Sequence, residues 1–455
     1  MEPIQQNADG DAIAAISTPF GEGAIAVLRL GGPGALAIAA RIFRSRSPVA
    51  ALPSRVQQFG RIVDDDGRVL DEVLLSVHRA PASYTGEDMV EIQCHGGILV
   101  TRRILDLVLA CGVRLADPGE FTRRAFLNGK MDMTQAEAVM DVIRAQTDLA
   151  LRAATAQLEG RLGREITALR ERLLGSLAHV EAHIDFPDED IDPATGAALL
   201  ARIDAARSEI SRLLSTADQG EILREGLRTV IYGEPNAGKS SLLNRLLGCE
   251  RAIVSHLPGT TRDTLEEVVN LRGIPVRLID TAGVRPSADA LENAGIERTR
   301  QALARAALAL RVVDASLPPQ IVADLLPVAS RTLLVLNKCD VGEHAAWRGE
   351  CAAIRISCRT GQGFDALTQA IFDTAMNGAG NSDDYLIAIN ERHQACLKTA
   401  TGYLDAARAA LEQRLSPEFV AIELRAALNA VGEVAGRLDA EELLGEIFST
   451  FCIGK

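Results

Sequence analysis

Along the first 127 residues, apolar positions come in short runs. DAIAAIST, GAIAVLRLGG, EVLLSVHRA and DMVEIQCHGG are rich in small and branched apolar residues and bounded by Gly and Pro, which predicts β-strands. ILVTRRILDLVLACG carries the wider spacing of a helix and stops at Gly112. An α+β region is therefore expected up to about Leu127. From about Met131 the period changes. Leu158, Leu162, Ile166, Leu169, Leu173, Leu177, Val180 and Ile184 recur every three or four residues, which is one face of a long helix. Such a stripe is expected to bury in a bundle. FPDEDIDP ends it, and another helical pattern runs to Asp218. Between about Gly226 and Ala375 compact apolar runs alternate with turns and helices: RTVIY, VRLID, ALRVVDAS, TLLVLN and AIRIS. That alternation predicts a parallel sheet wrapped by helices. NGAGNSDD reads as a linker. The remainder is helical again, with Asp439 and Glu442 forming a D-x-x-E start, similar to a capping box, before LLGEIFSTF.

A helical block on each side of an α/β module points to an insertion. Residues 131–218 and 385–455 are expected to pack as one discontinuous bundle. The chain then divides into an α+β domain at 1–127, a first helical part at 128–225, an α/β domain at 226–376 and a second helical part at 377–455. The length of 455 residues accommodates these parts. Hydrophobic residues at 47% and charged residues at 24% are ordinary for a globular protein. No apolar run reaches the roughly 18 residues that span a bilayer. The first residues, MEPIQQNADGD, lack a basic start, so no secretory signal is expected. Eight cysteines form no CxxC pair, which fits reduced thiols in a cytoplasmic protein better than zinc or disulfides. The terminal CIGK fits a prenylation box poorly. The net charge of −13 means that the overall field does not attract nucleic acid; RNA contact needs a local basic patch or a basic partner.

The chemistry is concentrated in the α/β region. GEPNAGKS, residues 233–240, fits G-x-x-x-x-G-K-[ST], follows the strand RTVIY and opens the helix KSSLLNRLLG. There backbone N–H groups and a helix N-terminus bind phosphate. Asn236, Ala237, Gly238, Lys239, Ser240 and Ser241 form this cradle, with Lys239 for the β/γ-phosphates and Ser240 for Mg²⁺. DTAG follows the next strand: Asp280 supports the Mg²⁺ shell, the Gly283 amide faces the γ-phosphate, and Thr281 and Ala282 are GTP-binding candidates beside it. NKCD supplies Asn337, Lys338 and Asp340. The Asp340 carboxylate accepts both N1–H and the exocyclic amine of guanine, a pattern adenine does not offer, so GTP is selected. Ser357, Cys358 and Arg359 back the base. Between cradle and DTAG, GTTRD, residues 259–263, fits a switch segment with Gly259, Thr260 and Thr261, of which Thr261 is a second Mg²⁺ ligand; Ser255, His256, Leu257 and Pro258 before it are further GTP-binding candidates. Many GTPases place Gln directly after DTAG to orient water; here Val284 stands there and has no polar group. Asn236 suggests two answers. Its amide oxygen either helps hold a monovalent cation that supplies the missing positive charge, or hydrogen-bonds the switch backbone.

TPFGEGAIAVLRLGG, YTGEDMVEIQCHGG, PGEFTRRAFLNGK, IDFPDEDID, GEPNAGKSSLLN, PGTTRD, DTAG, NKCD and the terminal FCIGK together resemble the MnmE (also called TrmE) family of tRNA-modification GTPases, over essentially the whole chain. The resemblance implies a multidomain α+β and α/β fold. It comprises an N-terminal α+β folate-binding-like and dimerisation domain, a discontinuous helical bundle and an inserted Ras-like P-loop GTPase domain. It implies a K⁺-dependent GTPase homodimer working with an FAD-containing, MnmG-like partner as a heterotetramer on tRNA. The pair would use a reduced folate, 5-formyl- or 5,10-methylene-tetrahydrofolate, to add a carboxymethylaminomethyl- or aminomethyl-type group at C5 of the wobble uridine. By likeness, Asn236, Ser255, Leu257 and Thr260 are the K⁺ ligands. Glu292, with Asp280, is catalytic and helps position water, although Pro286 alters the loop before it. Arg29, Glu91, Lys130 and Lys455 are the folate-site residues. Cys452 is open between a nucleophile and a small buried hydrophobe, and His95 reads as structural. Two other functions compete. A GTP-switched RNA-binding or ribosome-assembly factor has no need of the N-terminal domain and FCIGK, and a stand-alone folate enzyme has no need of the GTPase motifs.

Overall fold

The computed structural model describes residues 11–185, 196–248, 266–279, 303–319, 331–376, 387–436, 447–448, 451–452 and 454. The segment FPDEDIDP, the linker NGAGNSDD and the pair Asp439 and Glu442 lie outside the described residues. Two compact units emerge, one of residues 1–140 with 435–455 and one of residues 141–434.

The first unit is built on a seven-stranded sheet. Its elements are β1 (Ile13–Ile16), β2 (Ile25–Gly31), α1 (Ala35–Ile42), β3 (Phe43–Ser45), β4 (Gln57–Val63), β5 (Val69–His78), β6 (Met89–His95), α2 (Ile98–Ala110), β7 (Arg114–Leu115) and α3 (Glu120–Leu127). The strand order is β3-β4-β5-β6-β2-β1-β7, antiparallel throughout except that β1 and β7 run parallel. Alternation along each strand sends side chains to opposite faces. Ala14, Leu28, Leu30, Leu75, Val90 and Ile92 meet α1 and α2 on one face. Ile13, Ala15 and Met89 meet Phe121 of α3 on the other. In α3, Glu120 and Arg124 are both 7% exposed and pair at 2.9 Å, with Arg114 and Asp11 completing the network. The C-terminal residues join this unit. Gly119 N–H donates to Cys452 O at 3.4 Å, and Ser17 Oγ donates to Gly454 O at 3.0 Å.

The second unit holds helices and a second sheet. Helix α4 (Met133–Arg144) leads into it. Then come α5 (Asp148–Leu158), α6 (Arg161–Asp185), α7 (Gly196–Ser215), α8 (Ala217–Glu225), β8 (Leu227–Gly233), α9 (Lys239–Leu247), β9 (Glu266–Leu271), β10 (Ile274–Ile279), β11 (Leu308–Asp314), β12 (Arg331–Asn337), β13 (Ile354–Arg355), α10 (Phe364–Ala375), α11 (Glu391–Glu412) and α12 (Pro417–Val434). Helices α6 and α7, before the sheet in sequence, pack with α12 and α11, after it. The sheet order is β13-β12-β11-β8-β10-β9, parallel except for β9. Leu242 and Leu246 of α9 and Leu367 and Ile371 of α10 cover one face, where Ala150, Ala153, Ile222 and Leu223 of α5 and α8 join the same core. Two smaller clusters cover the other.

The helical stripe from Leu158 to Ile184 is not one helix. Leu158 ends α5 and Arg161 begins α6. Gly160 sits between them at φ 82°, its N–H donating to Gln157 O at 2.9 Å. A glycine in the left-handed region is the usual way for a helix to stop.

Candidate functional site

The described nucleotide-type motifs, the loop at 233–240, NKCD and SCR, lie at the carboxyl ends of the parallel strands β8, β12 and β13, where open α/β sheets bind ligands. Strand β8 ends at Gly233, and α9 starts six residues later at Lys239. The intervening loop requires unusual backbone. Asn236 has φ 61° and Gly238 has φ 97°; Asn tolerates this region better than most residues, and Gly has no Cβ to strain. A Cβ at Gly238 would lie 2.2 Å from Asn337 Nδ2. Lys239 Nζ donates to the carbonyls of Gly233 at 2.9 Å and Glu234 at 2.7 Å. Burial pulls the ammonium below the usual lysine range, against the pull of the Glu234 charge. An ammonium has three N–H groups, so an anion at this loop can take the third. Ser240 and Ser241 are exposed on the first turn of α9.

Asn337 ties the loop to the base-side motifs. Only 2% exposed, it donates from Nδ2 to Ala237 O at 2.9 Å, and its Oδ1 accepts from Cys358 N–H at 3.1 Å. Three segments distant in sequence thus share one side chain. Asp340 is fixed beside it. Its Oδ1 accepts from Ser357 Oγ at 2.5 Å and its Oδ2 from Arg359 Nε at 2.8 Å. The Ser357 hydroxyl, with help from the Arg359 guanidinium and against desolvation, holds the carboxyl below the usual range. The site thus presents an ionised acceptor. Burial pushes the Cys358 thiol up, so it is no thiolate nucleophile.

Two residues not singled out in the sequence support this end. Asp314, the last residue of β11, accepts from Lys338 Nζ at 2.6 Å and from Ser316 Oγ at 2.6 Å. Burial alone would raise its carboxyl, but those hydrogen bonds hold it low. Arg245 of α9 lies 5.2 Å over the Phe364 ring and donates to Cys358 O at 3.3 Å. The signal for Asp314 was its position at the carboxyl end of a parallel strand. Arg245 had none. Ser255, His256, Leu257, Pro258, Gly259, Thr260, Thr261, Asp280, Thr281, Ala282, Gly283, Glu292 and Lys455 lie outside the described residues.

A second cluster sits in the first unit. Arg29 and Glu91 are directly paired across β2 and β6, and Arg29 Nε donates to Glu91 Oε1 at 2.9 Å. Their side chains are 17% and 23% exposed. The guanidinium lies 5.4 Å over the Tyr84 ring and reaches Gly454 O at 3.4 Å, one residue before Lys455. His78 Nε2 is 3.8 Å from Glu91 Oε2. Lys130 does not touch this pair; it donates to Pro81 O at 3.0 Å, on the loop that carries Tyr84. Desolvation raises the Tyr84 phenol, whose hydroxyl hydrogen-bonds Thr122 at 2.9 Å. His95 is occupied by Asp71, at 2.7 Å through its ring and 2.8 Å through its amide. Cys452 is exposed, so it is not a buried hydrophobe.

Family models match the chain in two stretches: residues 133–452 match the MnmE helical domain, and residues 12–130 match the GTP-binding protein TrmE N-terminus. The tRNA modification GTPase MnmE of Akkermansia muciniphila is 50% identical over 447 residues, covering 97% of this chain and 98% of that protein. The protein of the same description from Chloroflexus aurantiacus is 49% identical over 455 residues, covering 98% and 100%. Among solved structures, the G domain of the T. maritima FeoB iron transporter is 24% identical, covering 32% of this chain and 97% of that one, with a TM-score of 0.25.

Proposed function

This chain belongs to the MnmE family of tRNA modification GTPases, and we propose that it couples GTP turnover to a folate-dependent modification of the tRNA wobble uridine. It is a GTP hydrolase acting in tRNA modification. We further propose the substrates, partner and cofactors of that modification. A carboxymethylaminomethyl- or aminomethyl-type group is added at C5 of the wobble uridine. A reduced folate gives the one-carbon unit. An FAD-containing, MnmG-like protein is the partner, in a heterotetramer with a homodimer of this chain. K⁺ and Mg²⁺ serve the nucleotide site. We place this activity in the cytoplasm; among the described residues no helix is long and apolar enough to cross a membrane. We also propose the division at residues 127, 225 and 376 into folate-type, helical and GTPase domains.

The observation that carries the GTPase chemistry is the Asn337 bridge, which fixes the phosphate loop and the guanine-type acceptor as one rigid site. The residues suit GTP. Lys239 keeps a donor for an anion, α9 opens its N-terminus onto the loop, and Asp340 offers an ionised acceptor for adjacent N–H donors. Ser240 would hold Mg²⁺ with Thr261, and Asp280 would support that shell. A metal there would neutralise charge developing on the phosphates. In our reading Glu292 orders water, the task Val284 cannot perform.

Asn236 supports the cation reading. It is exposed on the phosphate loop, with its backbone in the left-handed region, so its amide is presented outward. Ser255, Leu257 and Thr260 would complete the ligand set. GTP hydrolysis is expected to run at least about tenfold faster in K⁺ than in Na⁺, since a fixed positive charge at this position is worth far more in related chemistry. Asn236→Ala is expected to remove that difference while leaving GTP affinity within a few-fold. Equal steady-state rates in the two salts for the unaltered chain would contradict the cation reading.

At the second cluster, the paired Arg29 and Glu91 present both charges beside an aromatic face, a fit for a heterocycle with an N–H edge. In our reading Glu91 accepts from the pterin, Arg29 holds the Glu91 carboxylate in place through its Nε hydrogen bond, and Lys130 and Lys455 meet the carboxylates of the folate tail. A bound folate would supply the carbon that is transferred.

A further inference from the structure

The chain is acidic overall, yet between Glu22 and Asp64 it contains no aspartate or glutamate and carries six arginines: Arg29, Arg41, Arg44, Arg46, Arg55 and Arg61. Five of them are exposed, and only Arg29 is not. Elsewhere in the chain acidic residues outnumber basic ones, 61 to 48 overall. The segment folds into one edge of the first sheet. Arg41 is in the last turn of α1, and Arg44 is on the edge strand β3. Arg46 follows β3 directly. Arg44 stands directly opposite Arg61 of β4 in the antiparallel register. Like charges facing each other across strands are destabilising, so this pairing departs from what the fold alone would select. Two residues along β4 on the same face, Phe59 is 57% exposed. The positive series continues through Arg55, which donates to Ala82 O at 2.8 Å, and Arg79, which donates to Ala50 O at 2.8 Å. It thus reaches the loop that carries Tyr84 over Arg29.

Simpler roles account for part of this. Arg44 Nη1 donates to Arg41 O at 2.9 Å and Ala40 O at 3.2 Å, capping the end of α1, and Arg61 meets Glu72 Oε1 at 3.0 Å. A charge on an edge strand also discourages edge-to-edge pairing. Neither role calls for Arg41 and Arg46, which have no ion-pair partner among the described residues, and neither calls for an exposed aromatic among them. Arginines interleaved with an aromatic are the pattern for a nucleic-acid backbone: guanidinium groups meet phosphates, and a ring accepts an unstacked base.

We propose that the β3–β4 edge, with Arg41, Arg44, Arg46 and Arg61 around Phe59, is a docking surface for the tRNA phosphate backbone. The proposal rests on the tRNA-modification reading and gives it a location on an otherwise acidic molecule. Binding of unmodified tRNA to the full chain, followed by fluorescence anisotropy across a salt series, tests it. The variant Arg41→Glu/Arg44→Glu/Arg46→Glu is expected to bind at least tenfold more weakly. Its dependence of log affinity on log salt should be shallower by about two to three units, since each phosphate contact contributes about 0.9. Basal GTP hydrolysis should be unchanged, because none of these residues belongs to the nucleotide site. Arg41→Glu/Arg46→Glu spares the helix cap and should show about two-thirds of the loss in slope. Phe59→Ala should weaken binding by about tenfold with the salt slope intact. Unchanged affinity and slope in both charge variants would overturn the proposal. So would undetectable tRNA binding by the unaltered chain, or a loss of self-association with tRNA binding retained, which would make the edge a protein interface. If the proposal alone fails, deleting this chain still removes the modified wobble uridines while the charge variants bind tRNA as the unaltered chain does; if the underlying reading fails, the deletion leaves those uridines unchanged.

Discussion

Asp340→Asn is expected to lower GTP affinity by roughly 10²- to 10⁴-fold and to raise affinity for xanthosine triphosphate. In the proposed site the carboxylate would accept two adjacent donors of guanine, N1–H and the exocyclic amine, and charge-assisted hydrogen bonds of this kind are the strong ones. An amide keeps one acceptor and adds a donor. Xanthine replaces the exocyclic amine with a carbonyl, which matches that donor. The environment leaves the substituted side chain in place. Ser357, fully buried, holds one side of residue 340, and Asn337 fixes the strand end beside it. Arg359, whose side chain is 77% exposed, can move away. Titration of both nucleotides with a fluorescent analogue reads the change. An unaltered preference for GTP would mean that Asp340 does not face the base.

Gly238→Ala is expected to remove measurable GTP binding. Two costs combine. The backbone sits at φ 97°, where a Cβ adds about 1–2 kcal/mol. The new methyl would also stand 2.2 Å from Asn337 Nδ2. That amide cannot turn aside without giving up Ala237 O and Cys358 N–H, and each broken buried hydrogen bond costs about 1–3 kcal/mol. The phosphate loop and the base motifs would then lose their common anchor. Gly112→Ala is the control. Its φ of 91° carries the same backbone strain, but nothing lies within 4 Å of the added atom. It should lose stability and keep nucleotide binding. Comparable GTP affinity in the two variants would argue against Asn337 as the organiser of the site.

Much of this architecture was legible because it rests on period and punctuation. The strands at Ile13, Ile25, Val69 and Met89 and the helix at Ile98 follow runs rich in branched apolar residues between glycines. The five parallel strands of the second sheet follow compact apolar runs. What escaped has physical reasons. Strand β9, EEVVNL, pairs on one side only among the described residues, at the sheet edge, and carries charge where a central strand would be apolar. Strands β3 and β4 at the other sheet's edge are similarly polar, with Arg44 and Arg61 facing each other. Helix α1 is apolar on more than one face, so its period is blurred. The helix break at Gly160 was signalled by that glycine, but the unbroken leucine stripe concealed it, because Leu158 on α5 and Leu162 on α6 keep the spacing across the turn.

At the candidate nucleotide site, motif order singled out Lys239, Asn337 and Asp340. The links between motifs are a matter of three dimensions: that Asn337 reaches Ala237, a hundred residues away, follows from the parallel register of β8, β11 and β12. Asp314 acts through Lys338 and has no motif of its own. The pairing of Arg29 with Glu91 was likewise invisible in one dimension, since only the register of β2 and β6 sets them side by side.

The most direct test is mass spectrometry of nucleosides from bulk tRNA of cells lacking this chain. The expected result is loss of the C5-aminomethyl-type wobble uridines, restored by the intact gene and not by Lys239→Ala, which removes the ammonium from the phosphate loop. Unchanged wobble uridines in the deletion strain, or full restoration by Lys239→Ala, would contradict a GTP-driven role in their synthesis.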